Sequence, residues 1–339
     1  MTKMIWGYCR IEKNARPLWG EVVIMAKINN AIMTRKRICP FGTLIHCYQR
    51  TVGGCLAFYS VSDYLVFFTI MCIAAARYNV RIVKFCIMPD HFHVSVICSS
   101  VEELSAFMRD ATSCYAKAFN RKCNRSGQLF CEQFGSAPKK TDKHVRTNLI
   151  YVDNNPVERK LCSKAEDYRW NFLAYANTEW PFSQPGIKRY YSGAMKRAVA
   201  MVIARYKSGK YITFDMLHNA FAKLNRRECN QLTDFIITTY SVIDYEESLN
   251  HFGSYESMLL AIHSTTGSEY DLKEFFNGKR DDVYAKLTNI LLKQGLVNEI
   301  HNVVSLPLER KLYLKRLLIG KTLATENQIA CFLHLPVQP

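Results

Sequence analysis

No two of the thirteen cysteines form a Cys-x-x-Cys pair, which excludes zinc ribbons and thioredoxin-like redox sites. The thiols fall singly inside apolar stretches such as "TIMCIAAA" and "DATSCYAKAF", and the chain is too well stocked with core residues to need disulfides. They read as reduced, small hydrophobes of a cytoplasmic protein. Also missing is a run of about 20 apolar residues, the length of a membrane span. The longest, Tyr64 to Ala76, has thirteen. Residues 1–24 lack the charged-then-apolar order of a signal peptide, and Met25 offers a second candidate start. Acid is the other shortage. Against 45 Lys and Arg stand only 29 Asp and Glu, a formal net charge of +16. Such a field attracts polyanions, nucleic acid first among them.

What is present is ordinary for a folded soluble protein: 339 residues, 49% hydrophobic and 22% charged, with no internal repeat. The first half alternates strands and helices. Strands are expected at 42–51, 80–88 and from His91 onward, the last two forming an antiparallel hairpin across a "PD" corner. Helices are expected at 61–78 and 101–121, the second strongly amphipathic. A loop, "NRSGQLFCEQFGSAPKK", leads to a third helix capped by Thr141 or Asp142 and ending by Asn155, because Pro156 disfavours helical geometry before it. Past "EWPFSQPG" the chain becomes mainly helical, with candidates at 191–207, 213–224, 229–240, 254–264, 281–294 and 306–319. The division expected is an N-terminal extension over 1–40, an α+β domain over 41–185 and a helical domain over 190–339.

The chemistry concentrates in two stretches. In "MPDHFHVSV", His91 and His93 are two apart on a strand and so share a face. Two such imidazoles can hold a divalent metal, or simply sit on a wet surface. In "LIYVDNNPVERK", Tyr151 and Asn155 are four apart and stack on one face of a helix. His91, His93 and the Asn155 side-chain oxygen can supply three ligands to Mg²⁺ or Mn²⁺, with Tyr151 beside them as a nucleophile toward phosphorus. Taken singly, each has a plainer reading: a surface histidine pair, a core-edge tyrosine, a helix-ending asparagine.

"CIMPDHFHVSVI", "GQLFCEQF", "LIYVDNNPVERKL" and "AEDYRWNFLAY" resemble, in order and approximate spacing, the blocks of the HUH single-tyrosine transposases, the REP-associated tyrosine transposases in particular. The resemblance spans roughly residues 40 to 180. It implies a ferredoxin-like α+β core with both histidines on a central strand. It implies a metal-dependent enzyme that cleaves and rejoins single-stranded or hairpin-flanked DNA through a 5′-phosphotyrosine, as monomer or homodimer. His91, His93 and Asn155 become metal ligands and Tyr151 the nucleophile. Asp90 stands where asparagine is commoner in the family, and "VDNNP" replaces "IHLNP". The paired-tyrosine and helicase-like features of replication initiators are missing. The segment from Leu306 to Pro336 resembles the opening of a helix-turn-helix, with the chain ending where a recognition helix would begin.

Basic residues that can follow a DNA backbone are Lys139, Lys140, Lys143 and Arg146 around the start of the third helix, Arg121 and Lys122 after the second, and an arm of Arg35, Lys36 and Arg37. Each cluster reads equally as a solvated surface. Phe130, Phe134, Tyr168 and Trp170 can stack bases, though core packing is the simpler role. His46 reads as a hydrogen-bonded strand histidine. A rival class is a domesticated, non-cleaving nucleic-acid-binding regulator.

Overall fold

Strand and helix alternate as β1 (Leu44–Arg50), α1 (Val61–Arg77), β2 (Arg81–Ile87), β3 (His91–Ile97), α2 (Val101–Lys122) and β4 (Gly135–Lys139). The sheet order is β2-β3-β1-β4, antiparallel at every pairing. This is the ferredoxin-like α+β arrangement that the motifs imply. This computed structural model describes residues 39–40, 42–184, 186–187, 192–264 and 280–335. The basic arm of Arg35, Lys36 and Arg37, Met25, and nearly all of the expected extension lie outside the described residues.

Local chemistry sets the boundaries. Ser60 and Asp63 form a reciprocal capping box at the start of α1. Ser100 accepts from the Glu103 amide at 3.1 Å to open α2. The β2–β3 corner closes with the Met88 amide donating to the His91 carbonyl at 2.9 Å. β4, "GSAPK", falls inside the stretch expected to be a loop. Gly and Pro give it no strand signal, and it survives because it is an edge strand whose only partner among the described residues is β1.

Alternation sorts the sheet into two faces. Ile45 and Cys47 of β1 and Phe92, Val94 and Val96 of β3 enter the main core with α1 and α2. Phe67 of α1 is its hub, its ring centroid 4.9 Å from that of Phe92 and 5.0 Å from that of Tyr115. The opposite parity sends His46, Tyr48, His91, His93 and Ser95 to the other face. β2 keeps this sorting only because its register slips between Ile82 and Lys84. The extra residue lets Ile82 and Phe85, three apart, pair with Val96 and Val94 of the core-facing row, while Lys84 pairs with Ser95.

The second face is covered by α3 (Asp142–Glu158), started by Thr141 accepting from the His144 amide at 3.3 Å. Val145 and Leu149 of α3 pack on Leu44 and Val83 of the sheet. The helix does not end at Asn155 as expected: Pro156 lies inside it, three residues before Arg159. Pro156 forfeits one backbone hydrogen bond, and the last turn holds because the Arg159 amide donates to the Asn155 carbonyl at 3.1 Å and the Arg159 side chain is anchored by two carboxylates.

The rest is helical: α4 (Gly193–Lys207), α5 (Phe214–Phe221), α6 (Arg226–Tyr240), α7 (Tyr245–Asn250), α8 (Tyr255–Ser264), α9 (Asp282–Lys293), α10 (Asn302–Ser305), α11 (Leu308–Leu318) and α12 (Glu326–Phe332). These helices close on the first half rather than stand apart. Val202, Ile236, Leu287, Leu314 and Phe332 belong to the same apolar cluster as Phe67 and Phe92. Buried Asp234 of α6 accepts from Tyr175 Oη at 2.6 Å and Ser183 Oγ at 2.7 Å. Buried His301, just before α10, lies 2.8 Å from Asp63 of α1. Ile243 bridges to Ile82 on the outer edge of β2, which covers that edge. Phe130, Tyr168 and Trp170 are buried core aromatics, the simpler of their two roles. Among the described residues no helix is long and apolar enough to cross a membrane.

Candidate active site

β3 and α3 lie side by side in opposite directions, and their contacts run in step. Ser95 Oγ donates to Asn148 Oδ1 at 2.8 Å. Two residues back on the strand, the His93 ring lies edge-on to Tyr151, centroids 5.5 Å apart. At the corner, Arg159 Nη2 donates to Asp90 Oδ1 at 3.4 Å. Asn155 lies between Tyr151 and Arg159 on the same helix stripe. Both imidazoles, Tyr151 and Asn155 are buried, Tyr151 to 4% exposure and Asn155 to 5%.

The hydrogen-bond partners fix which imidazole nitrogen carries the proton. His91 Nδ1 lies 2.6 Å from Asp90 Oδ1. A carboxylate only accepts, so Nδ1 donates and in the neutral ring the lone pair is on Nε2. His91 Nε2 is buried and has no hydrogen-bond partner among the described residues. His93 is set by a longer chain. Because Ser95 Oγ gives its proton to Asn148, it accepts from His46 Nδ1, 3.5 Å away. His46 Nε2 is then the acceptor for His93 Nδ1 at 3.2 Å. Burial first, then the His93 imidazole and the Lys139 ammonium, hold His46 well below the usual histidine range, in the neutral form an acceptor requires. Both imidazoles of the pair therefore carry the proton on Nδ1 and the lone pair on Nε2.

Two imidazole nitrogens with a carboxamide oxygen suit a small divalent cation, and an Nδ1 hydrogen-bonded to a carboxylate is the usual support for a metal-binding histidine. The orphaned His91 Nε2 fits that use. Among the described residues no group of three or more His, Cys, Asp or Glu side chains gathers into a metal cluster. Two imidazoles and an amide are not such a group.

Two tyrosines flank the imidazoles. Tyr48 pairs across the strands with His93, ring centroids 6.2 Å apart, and lies against Gly135 of β4. A Cβ at Gly135 would fall 2.2 Å from Tyr48 Cε1, so this glycine makes room for the ring. Next to Tyr151, Asp153 pairs with Lys84 Nζ at 2.8 Å, both buried. Burial raises the Asp153 carboxyl to about 6 against the opposing pull of Lys84.

The basic candidates separate. Lys139 pairs with Leu44 in the row of His46, so it stands on the imidazole face, with Lys140, Lys143 and Arg146 exposed just beyond it. Arg146 is also stacked 5.3 Å from the Phe252 ring. Arg121 and Lys122 end α2, on the opposite side of the sheet, and Lys122 pairs with Glu299 at 2.8 Å. Sequence reasoning missed Tyr48, Ser95, Asn148 and Arg159, and gave His46 no part in orienting His93. The parity of "HCYQR" puts His46 and Tyr48 on one face, but their cross-strand partners appear only with the register.

Residues 61–155, which include both histidines, Tyr151 and Asn155, match the family model described as "Transposase IS200 like". No curated protein matches the chain. Over 47% of its length the chain is also similar to a solved REP-associated tyrosine transposase bound to a REP hairpin, covering 94% of that protein at 14% identity and a TM-score of 0.38. A likeness at that level carries no function across.

Proposed function

We propose, from the match of residues 61–155 to the IS200-like transposase model, that the chain is a metal-dependent strand transferase. Its substrate is single-stranded or hairpin-flanked DNA, cleaved and rejoined through a 5′-phosphotyrosine. The observation that carries this reading is Tyr151 set edge-on to His93, centroids 5.5 Å apart, beside a buried His91 Nε2 with no hydrogen-bond partner.

Tyr151 Oη is the nucleophile. It bonds to phosphorus as the bond to the 3′ oxygen breaks, and one proton passes, net, from the phenol to the departing 3′-hydroxyl. The tyrosyl ester keeps the energy of the broken phosphodiester, so rejoining needs no nucleotide cofactor. His91, His93 and the Asn155 carboxamide oxygen would hold Mg²⁺ or Mn²⁺, which when bound supplies Lewis acidity toward the scissile phosphate. Asp90 and His46 keep the imidazoles in the tautomer that offers Nε2. Lys139, Lys140, Lys143 and Arg146 follow the DNA backbone toward this face, consistent with the net charge of +16. Tyr151 is 4% exposed, so strand entry requires local opening above it. In this reading residues 41–185 perform the chemistry, residues 190–339 form the helical domain packed on it, and the protein works on cytoplasmic DNA.

The test is a denaturing gel of full-length protein incubated with Mn²⁺ and labelled hairpin oligonucleotides. Wild type forms a covalent adduct that chelator abolishes. Tyr151→Phe binds the oligonucleotide and forms none. Full attachment by Tyr151→Phe overturns the nucleophile assignment. Tight binding by the wild type without any adduct points instead to a non-cleaving regulator.

A further inference from the structure

We propose that Arg159 is a positioning residue through which the C-terminal helices set the His91 imidazole. This deepens the function proposed above and rests on His91 being a ligand. Four side chains make a continuous line. Asp281, immediately before α9, accepts from Arg159 Nε at 2.9 Å. Arg159 Nη2 reaches Asp90 Oδ1 at 3.4 Å, and the same oxygen receives His91 Nδ1 at 2.6 Å. The line is locked by backbone as well, the Asp281 amide donating to the Arg159 carbonyl at 2.8 Å. Asp281 is fully buried, and the Arg159 and Asp90 side chains are 15% and 9% exposed, so water screens none of these contacts strongly.

The arrangement does more than join two helices. A join between α3 and α9 needs only Arg159 and Asp281. The guanidinium instead spends its second donor on Asp90, a carboxylate beside a buried imidazole. Arginine suits this because its planar fork can hold two carboxylates in fixed directions. Held there, Asp90 Oδ1 is fixed as the acceptor for His91 Nδ1, which leaves Nε2 facing the site. Asp281 lies about 190 residues along the chain from Asp90, and in this line the state of residues near α9 reaches the ligand through Arg159. Loosening α9 is then expected to free the guanidinium and let the imidazole change tautomer or turn.

The experiment uses full-length protein labelled with ¹⁵N-histidine, the His91 signals being assigned by their loss in His91→Gln. Nitrogen shifts report the His91 tautomer without metal, and titration with Mn²⁺ alone reports affinity. Wild type shows Nδ1 protonated and Nε2 bare. Arg159→Met and the milder Asp281→Asn, which keeps the backbone contact, are expected to populate the other tautomer and to weaken Mn²⁺ binding about tenfold, the lower end for loss of a supporting partner. Arg159→Lys restores part of both. Folded variants with the wild-type tautomer and Mn²⁺ affinity overturn the proposal and leave Arg159 a structural link. A tautomer that responds in a wild-type protein unable to bind Mn²⁺ sinks the ligand reading but not the coupling of α9 to His91.

Discussion

The two faces of the sheet are built from the same strands and both are largely buried, yet they are opposite in chemistry. Toward α1 and α2 the side chains are Ile45, Cys47, Phe92, Val94 and Val96. Toward α3 they are His46, Tyr48, His91, His93 and Ser95. The first face gains its stability by removing apolar surface from water. The second can be buried only because each imidazole is given a directed partner. Stability and chemistry are thus assigned to alternate residues of one strand, and substitutions one residue apart should fail in different ways.

The largest expected effect lies on the polar face. Exchanging His91 for Gln should lower metal-dependent adduct formation about 10³-fold or more, by analogy with loss of a member of a catalytic unit, while thermal unfolding changes little. An unfolding midpoint that collapses together with activity would erase the distinction between the faces. Next comes Phe67→Ala on the apolar face, which should cost about 3–5 kcal/mol in denaturant unfolding, with binding of hairpin DNA retained in the protein that remains folded. Of similar size is Lys84→Met, which strips the partner from buried Asp153 and should cost about 3–5 kcal/mol. The double variant Lys84→Met, Asp153→Leu should recover most of that loss, and no recovery would mean that the pair is more than mutual compensation. Smaller is Gly135→Ala, where displacement of Tyr48 should cost about 1–3 kcal/mol and reduce adduct yield.

The smallest effect is a pH dependence outside the site. Burial opposes the charge on His301, but the Asp63 carboxylate at 2.8 Å prevails and raises its pKa, with Glu299 assisting and Lys122 opposing. A pKa raised on folding stabilises fully below the unfolded value of about 6.5 and is lost as pH rises through the folded value. Wild type should therefore lose its stability advantage over His301→Gln from pH 6 to pH 9. An advantage that grows with pH would refute a charged His301.

Much of the site was legible because its signals are local. The "PD" corner and the two-residue spacing of His91 and His93 specify a hairpin and a shared face. The four-residue spacing of Tyr151 and Asn155 specifies a helix stripe. What could not be read depends on distant partners. β4 has no strand composition and exists by pairing with β1. The acceptor role of His46 requires Ser95 and Asn148, from two other elements. Asp281 reaches Arg159 across 122 positions of sequence. Pro156 was read as a stop because its local penalty is visible and the carboxylates that hold the following turn are not.

The slipped register of β2 makes the length of that strand as informative as its composition. With Val83 inserted, residues on either side of it are read in two different phases, Ile82 with the oily row and Lys84 with the wet one. Removing that single valine would leave Ile82 opposite Val96, Lys84 opposite Ser95 and Phe85 opposite Val94 in unbroken alternation, and would cost only the side chain that packs with Leu44, Val145 and Leu149 beneath α3. The strand therefore tolerates one residue more or one fewer at this point, because the bulge absorbs Val83 without moving the lysine or the aromatic ring to the wrong face.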